Sequence, residues 1–476
     1  MEAAPVSQSN PGPAPARPAV VLSIGLALAA GLALRLWMFA RFFEVSGDSL
    51  VYGGIARNLL LHGRYALSLP SGEMFSTLIR LPGYPLFLAV CFRLFGVDHY
   101  APAAVLQIIL ELIGCLLLAG CASRVAPQRL KPAAFHATLW LAALCPFTAI
   151  YAASPLTEAP TLFCLALALW SAVCFCEQPR WTMALAFTFA VTFTALLRPD
   201  GALAAVALAP ALFVGLPASA SESERRRRQR MALACVLLAA APFAAWTVRN
   251  WSVFHVFQPL APKSATDPGD RVDTGWERWM KTWCLDFVST YNIAWNVPGD
   301  VFDVNLLPAR AFDSPEERRE VAALADSYNT NGYTLTPALD DAFARLAAQR
   351  IAAHPLRYYV TLPLGRVADM WFRPRVENLP IDLDWWVYAH HRAETRFSWF
   401  YVALNALYLS LGIVGLCLRP KLWPWMLAYI ALRSAMLLTI NPPEARYTLE
   451  CFPMLFVLGG VAIARLATSR SLTTDH

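Results

Sequence analysis

Residues 18–39 have the sequence PAVVLSIGLALAAGLALRLWMF, an apolar stretch that is long enough to cross a lipid bilayer. A membrane-spanning helix needs about 20 predominantly apolar residues. Ten stretches approach that length, roughly 18–39, 100–123, 132–151, 159–176, 181–197, 201–216, 231–249, 397–418, 422–440 and 447–467. We therefore predict an all-α polytopic membrane protein with about ten transmembrane helices.

The composition favours the same class. Of the 476 residues, 57% are hydrophobic and 15% are charged, whereas about a quarter of the residues in an average soluble domain are charged. The net charge of +6 is too small for a nucleic-acid-binding protein, so the predicted partner is the bilayer. The cysteines lie almost entirely in apolar stretches and form no Cys-x-x-Cys pair, which argues against a disulfide framework or a structural zinc site.

Loop charges predict the topology. The apolar stretch Pro82–Gly96 is short and carries Arg93, so length alone does not show whether it spans the bilayer. If this stretch does not cross the bilayer, the basic loop clusters, including Arg225–Arg230, lie on the same side of the membrane as the N-terminus. By the positive-inside rule that side is the cytoplasm. The predicted regions are a disordered cytoplasmic tail (1–17), an N-terminal transmembrane catalytic module (18–250) with a first periplasmic loop (41–99), a periplasmic domain (251–396), C-terminal transmembrane helices (397–467) and a cytoplasmic tail (468–476).

The first loop is predicted to contain two interfacial helices. Asp48 precedes an amphipathic helix over 49–62, which Gly63 ends. Its expected apolar side consists of Leu50, Val51, Ile55, Leu59 and Leu60, and its expected polar side of Tyr52, Arg57 and Asn58. The second interfacial helix is the short stretch Pro82–Gly96.

The domain 251–396 is predicted to be mostly helical. Ser314-Pro315-Glu316-Glu317 is a capping box with proline at the first helical position. Thr336-Pro337 opens a second helix, with Leu339, Phe343, Leu346 and Ile351 facing inward. The stretch 259–313 is rich in Pro, Gly and Asp and is predicted to be irregular.

Several ionisable residues lie at the predicted outer ends of spans, where charge is costly and indicates function. Acids and cations at one depth suit an enzyme that deprotonates one group while it holds an anion, and they also suit the ion path of a transporter. These residues are Asp48, Arg80, Glu158, Arg198, Asp200, Arg249, Glu444 and Arg446.

The same residues lie in motifs that resemble the GT-C glycosyltransferases, in particular the bacterial members similar to protein O-mannosyltransferases and aminoarabinose transferases. The first loop, with Gly47-Asp48-Ser49 and Arg80-Leu81-Pro82-Gly83-Tyr84-Pro85, resembles their first periplasmic loop. The later motifs follow in the same order over about 40–455: Leu156-Thr157-Glu158-Ala159-Pro160, Leu197-Arg198-Pro199-Asp200-Gly201, Trp246-Thr247-Val248-Arg249-Asn250 and Glu444-Ala445-Arg446-Tyr447 with Pro453.

The resemblance implies a membrane glycosyltransferase with a polyprenyl-phosphate sugar donor, an acceptor glycan, lipid or protein, a periplasmic active site and inversion at the anomeric carbon. Many members have Asp followed by Glu in the first loop, where this chain has Asp48-Ser49. The resemblance implies the following roles: Asp48 as the general base and Glu158 as a second acid; Arg80, Arg249 and Arg446 at the donor phosphate; Tyr52, Tyr84, Arg198 and Asp200 as substrate-binding residues.

Each of these residues also has a purely structural interpretation. Asp48 could cap its helix, Glu158 could be a first-turn acid that favours the helix dipole, and the arginines could anchor spans at the interface. Asp382-Leu383-Asp384 has the form of a metal-binding pair, but we interpret it as coincidence. Trp385-Trp386 is more typical of an interfacial belt, and His390-His391 of a solvated loop.

No cofactor is predicted, and a divalent metal is possible but not indicated. No Gly-x-x-x-x-Gly-Lys-Ser/Thr motif is present, which agrees with a lipid-linked rather than a nucleotide-linked donor. Two other classes stay open at this point. A transporter or lipid-linked sugar flippase could use the same charges, but the charges at span ends and the lack of repeats favour the enzyme. A non-catalytic assembly subunit would not need Asp48.

Overall fold

Helices form almost all of the regular structure of the protein. The computed structural model describes residues 18–212, 221–382, 384–387 and 391–471, so the predicted tail 1–17 and residues 472–476 of the second tail lie outside the described residues. The N-terminal part contains α1 (Pro18–Phe42), α2 (Asp48–His62), β1 (Ala66–Ser68), β2 (Met74–Ser76), α3 (Gly83–Phe95), α4 (Tyr100–Val125), α5 (Lys131–Ala143), α6 (Pro146–Ala152), α7 (Glu158–Glu177), α8 (Trp181–Leu197), α9 (Ala202–Leu208) and α10 (Glu222–Phe254). The remainder contains α11 (Thr274–Lys281), α12 (Phe287–Ser289), α13 (Pro315–Thr330), α14 (Pro337–Ala353), α15 (Leu362–Phe372), α16 (Arg392–Cys417), α17 (Trp423–Leu437) and α18 (Phe452–Ser471).

The polytopic all-α class is confirmed. Within the described ranges, six helices are long and apolar enough to cross a bilayer, and α5 with α6 makes a seventh if this pair, bent by 56°, is one span. Three predicted spans are shorter: α8 has 17 residues, α17 has 15, and the described part of 201–216 forms α9 and a 3₁₀ turn. A helix of 17 residues rises only about 25 Å, less than the hydrocarbon core of about 30 Å. The count of ten spans therefore stays a prediction.

Helix α2 ends at Gly63 as predicted and begins one residue earlier than predicted, at Asp48, and its buried face differs from the expected one. Gly63 adopts the left-handed conformation at the C-terminus. Tyr52 and Asn58, expected on the polar side, are buried, whereas Leu50 is 56% exposed. The reason is that the protein lies against the small and polar side of the helix, where the Asn58 side chain donates to the carbonyl of Ala66 at 2.9 Å.

Helix α3 is the second helix of the first loop and has 13 residues. It packs against α2, α4 and α8. Gly83 allows this approach, because a Cβ atom there would lie 2.6 Å from the backbone of Leu196. The close contact brings Arg80, just before α3, to the same side of the bundle as Arg198, just after α8.

The hydrophilic domain has its own aromatic core. Ser314 and Thr336 cap α13 and α14 as predicted, although Glu317 accepts from the amide of Asp313 instead of completing the box. The expectation that 259–313 is irregular is wrong in part, because it contains α11. Side chains from α11, α14 and the intervening segment fill the core: Trp276, Trp279, Trp283, Phe302, Leu339, Phe343 and Leu346.

A charged pair lies in the middle of the helical bundle, contrary to the expectation that charges cluster at span ends. Arg35 of α1 is 0% exposed, and its Nε lies 2.7 Å from Glu111 Oε2 on α4. Arg35 also donates to the carbonyl oxygens of Gly31 and Ala143 at 2.9 and 2.6 Å. Because α5 ends at Ala143, the guanidinium supplies donors to carbonyls that the bend between α5 and α6 leaves unpaired.

Candidate active site

Two cavities meet at the end of the bundle where the first loop contacts the hydrophilic domain. Cavity A has a volume of about 460 Å³ and is lined by the first loop, the start of α7, the turn after α8, residues 261–265 and residues 436–447. Cavity B has a volume of about 490 Å³. The two share Asp48, Leu156 and Arg446 as lining residues. Asp48 therefore lies at the boundary between them.

Asp48 is the first residue of α2, and its carboxylate makes no capping hydrogen bond. The capping interpretation is therefore wrong. Arg80 Nη2 lies 2.6 Å from Asp48 Oδ1, and Arg446 Nη2 lies 3.5 Å from Oδ2. Burial would raise the pKa of the Asp48 carboxyl, but the positive charges of Arg80 and Arg446 outweigh this effect and hold the pKa below its usual range. Asp48 is thus an ionised carboxylate with its side chain 32% exposed.

Glu158 is the first residue of α7 and lies deeper in the site than Asp48. Its side chain is 3% exposed. Arg198 Nη1 lies 3.1 Å and Arg446 Nη1 3.5 Å from Glu158 Oε1. Arg446 in turn lies 2.6 Å from Glu444 Oε2. Glu158 therefore orients two cavity-lining arginines, in addition to its place in the first turn of a helix.

The charged network continues beneath the cavity through residues that the sequence analysis did not select. Arg198 Nε lies 2.9 Å from Glu450 Oε1, and Arg433 Nη1 lies 2.9 Å from Glu450 Oε2. Arg433 also pairs with Asp200. The sequence did contain a signal for Arg433 and Glu450, because both are ionisable residues within predicted membrane spans. The network, in spatial order, is Arg433, Asp200 and Glu450, Arg198, Glu158, Arg446, Asp48 and Arg80.

Arg249 does not belong to this site, although it was predicted to bind the donor phosphate. Its guanidinium donates to the carbonyl oxygens of Thr77 and Tyr65 at 2.8 Å each. It also lies 5.2 Å from the ring centroids of Tyr65 and Trp246. The strands β1 and β2 pair antiparallel and form the first-loop hairpin. Arg249 therefore fastens this hairpin to α10, and its guanidinium donates to the carbonyl groups next to the two strands.

Lys263 is a cation of cavity A that the sequence did not single out. It belongs to the loop after α10, where nothing in the local sequence distinguishes it from a solvated lysine. Within the part of the chain that the structure describes, no carboxylate lies within 4 Å of its amine, unlike Arg80, Arg198 and Arg446. It gives cavity A a positive charge without a fixed partner.

The two tyrosines predicted to bind substrate have different positions. Tyr52 lines cavity A, where burial raises its pKa to about 12. Tyr84 is 0% exposed and donates to Gln107 Oε1 at 2.7 Å. Its ring packs edge-on below that of Tyr52, with 5.0 Å between the centroids. Tyr84 therefore supports Tyr52 and does not reach the cavity.

Asp382, Asp384 and His391 form a cluster at the surface of the hydrophilic domain. Each could offer one metal ligand, and these atoms lie within 4.8 Å of one another. His391 Nδ1 lies 3.2 Å from Asp382, and Nε2 lies 3.3 Å from Asp384. Each ring nitrogen of His391 thus faces a different carboxylate. His390 lies outside the described residues, and the absence of a metal stays a prediction.

Comparison with known proteins relates this helical bundle to membrane glycosyltransferases. The sequence matches the model of the dolichyl-phosphate-mannose-protein mannosyltransferase family over residues 80–247. The structure is similar to that of an oligosaccharyltransferase from Archaeoglobus fulgidus tethered with an acceptor peptide, with a TM-score of 0.50, 12% identity and coverage of 95% of this chain. The chain covers 50% of that protein.

Two further structures are similar to a lower degree. The oligosaccharyltransferase AglB from Archaeoglobus fulgidus, in complex with an inhibitory peptide and a dolichol-phosphate, has a TM-score of 0.48 at 12% identity, with 96% of this chain and 52% of that chain covered. ArnT from Cupriavidus metallidurans bound to undecaprenyl phosphate has a TM-score of 0.37 at 14% identity, with 95% and 79% covered. No curated protein sequence matches the chain. The family match and the fold confirm the resemblance to GT-C glycosyltransferases.

Proposed function

We propose that the protein is a GT-C membrane glycosyltransferase that moves a sugar from a polyprenyl-phosphate donor to a hydroxyl group of an acceptor, with inversion. The position of Asp48 at the boundary of cavities A and B carries this proposal. A carboxylate with access to both can take a proton from a group in one cavity while the reacting carbon lies in the other. The description of the matching family, which names a dolichyl-phosphate sugar, agrees with this donor class.

In the proposed reaction, Asp48 accepts the proton of the acceptor hydroxyl. The hydroxyl oxygen forms a bond to the anomeric carbon from the side opposite the phosphate. The bond between the anomeric carbon and the phosphate oxygen breaks, and its electron pair stays on the phosphate. One displacement inverts the configuration, and no nucleotide or metal is needed in this scheme because the lipid phosphate is already an activated leaving group.

The donor phosphate belongs in cavity A. Arg80, Arg446 and Lys263 line this cavity and can stabilise the charge that grows on the phosphate as it leaves. Arg80 and Arg446 already contact Asp48, so the phosphate, the base and the reacting carbon would lie within a few ångströms of one another. Arg198 and Asp200 line the base of the same cavity and are proposed to position the sugar.

An apolar groove between α8 and α10 offers a place for the lipid tail. It has a volume of about 340 Å³ and is lined by Leu185, Thr188, Phe189, Thr192, Phe193, Leu196, Leu238 and Pro242. Leu196 in the groove adjoins Leu197 in the wall of cavity A. An isoprenoid chain in this groove would therefore place its phosphate toward the cations of cavity A.

The proposed location is a bacterial inner membrane, with the active site facing the periplasm. The multi-pass apolar helices support a membrane location, and the basic run Arg225–Arg230 supports the orientation by the positive-inside rule. Single cysteines at Ser76 and Ser223, in a background without reactive cysteines, should be labelled from opposite sides of the membrane. Labelling of both from one side contradicts this topology.

The donor class can be tested with the purified protein in lipid nanodiscs. With an envelope extract as the source of acceptor, we expect it to release polyprenyl phosphate from a polyprenyl-phosphate sugar, such as the mannose-linked one, and to leave the corresponding nucleotide sugar intact. The Asp48→Asn variant is the matched control for background hydrolysis. Consumption of the nucleotide sugar alone contradicts the proposal, and movement of intact lipid-linked sugar between leaflets of vesicles would favour a flippase instead.

A further inference from the structure

Cavity B leads away from Asp48 into a third cavity on the hydrophilic domain. This cavity C has a volume of about 540 Å³. The two adjoin at Phe287 and Glu377, which line both. Cavities B and C together, here called the aromatic groove, thus run from the carboxylate of Asp48 toward Asp382 and Asp384. The proposed donor chemistry uses none of this groove beyond Asp48 and Arg446.

One wall of the aromatic groove carries three aromatic rings at equal sequence spacing. Phe287, Tyr291 and Trp295 are four residues apart on a short helical segment, α12 and the π-helical turn that follows it. Trp295 lies 5.3 Å from Phe287 and 5.6 Å from Tyr291, measured between ring centroids. Tyr291 and Trp295 are 47% and 48% exposed. Neighbouring exposed rings of this size indicate a binding surface.

The polar groups of the groove include five carboxylates together with the hydrogen-bond donors Arg373, Arg446 and Asn378. The Glu377 side chain is 9% exposed, and Arg373 Nε holds its Oε1 at 2.7 Å. The Arg373 guanidinium also lies 4.8 Å from the ring centroid of Phe287. Arg373 thereby fixes an acid and an aromatic ring relative to each other. Asp382 and Asp384 line the far end of the groove with exposed side chains.

Building on the proposed function, we infer that the acceptor is a saccharide, bound along the aromatic groove with its reacting hydroxyl at Asp48. A sugar ring has an apolar C–H face that packs on an aromatic ring, and hydroxyl groups around its edge that donate to carboxylates. Sugar hydroxyl groups also accept hydrogen bonds, which Arg373, Arg446 and Asn378 can donate. These charged groups would exclude an acyl chain, and a sugar ring suits a wall of aromatic rings that is flanked by both acceptors and donors. The saccharide can be a free glycan or the headgroup of a glycolipid.

The test follows the sugar from donor to product. Purified full-length protein in nanodiscs is supplied with isotopically labelled polyprenyl-phosphate sugars prepared from source membranes, and with envelope extract separated into polysaccharide, glycolipid and protein fractions. We expect label in the polysaccharide fraction if the acceptor is a free glycan, and on the headgroup in the glycolipid fraction if it is lipid-linked. Label that proteases release from the protein fraction overturns the inference.

Two tryptophan variants show whether the aromatic groove binds this acceptor. Trp295→Ala removes a ring that lines cavity B, and we expect the acceptor KM to rise about 10-fold, with a smaller change in kcat. Trp251→Ala is the matched control, since Trp251 is 58% exposed and lines none of the cavities described. Equal acceptor KM values for the two variants, both folded by melting temperature, overturn the inference. If the wild type consumes no lipid-linked donor with any of the three acceptor fractions, the proposed function fails and the inference falls with it.

Discussion

Arg35–Glu111, between α1 and α4, and Arg80–Asp48, at the edge of cavity A, are two arginine–carboxylate pairs in different surroundings. Arg35 is fully buried, and backbone carbonyls complete its contacts with Glu111. Arg80 pairs with Asp48 at a similar distance, but their side chains are 23% and 32% exposed. Residue types and distances are thus nearly the same in the two pairs. Access to a cavity distinguishes them, and this indicates a structural role for the first pair and a chemical role for the second.

Arg35→Met should have the largest effect, and the effect should be on stability. The variant leaves Glu111 buried without a counter-charge and removes donors from the end of α5, for which we expect a loss of about 3–5 kcal/mol in the free energy of unfolding. Unfolding in mixed detergent measures it. Adding Glu111→Leu should recover much of the loss, because it removes the unpaired charge. A stable but inactive Arg35→Met protein would contradict the distinction between the two pairs.

Asp48→Asn should give the opposite result. Asn retains the shape of the side chain but cannot accept the proton, so we expect turnover to fall by roughly 100-fold or more. Melting temperature should stay close to that of the wild type, because the partly exposed pair contributes little to stability. Turnover of the purified variant with the lipid-linked donor measures the effect. Near-normal turnover would remove the catalytic role and reopen the transporter hypothesis.

Glu158→Gln should have an intermediate effect, since Glu158 acts through the arginines that it orients. We expect a loss of about 10-fold to 100-fold in turnover. The donor KM should rise as well, because Arg198 and Arg446 lose a fixed partner. Initial rates at varied donor concentration separate the two effects. Wild-type kinetics in this variant would leave Glu158 only its role in the first turn of α7.

Arg80→Gln should shift the pH dependence. Burial raises the pKa of Asp48, and Arg80 and Arg446 lower it by more, so the wild-type base stays ionised below the usual range of an aspartate. Without Arg80 the folded-state pKa rises, and the acidic limb of kcat/KM should move to higher pH. The pH profile measures this shift. An unmoved acidic limb would show that another group controls it.

The sequence was sufficient for the class of fold and for the charged residues that lie in motifs at span ends. Asp48, Arg80, Glu158 and Arg446 do meet, because each sits where an apolar helix begins or a loop turns back. Arg433 and Glu450 were missed, although single charges in apolar stretches were a usable signal. No comparable signal marked Lys263, because it lines cavity A only through the position of the irregular loop after α10.

The errors have a common physical cause. Arg249 carries the charge expected of a phosphate ligand, but it faces the carbonyls of the first-loop hairpin, which no pattern in its own helix reveals. Tyr84 and Leu50 were assigned to the wrong surroundings for a similar reason. In a membrane protein, apolar side chains can face lipid and polar ones can face the interior, so a pattern of alternating polarity does not fix which side of a helix is buried.

The shared wall between cavities A and B has a kinetic consequence. In the proposed reaction Asp48 acts only when the hydroxyl and the anomeric carbon are present together, so we expect donor and acceptor both to be bound before either product leaves. Double-reciprocal plots at several acceptor concentrations should then give intersecting rather than parallel lines. Exchange of label between donor and free polyprenyl phosphate should require the acceptor product, because the proposed single displacement forms no covalent bond between the sugar and the enzyme.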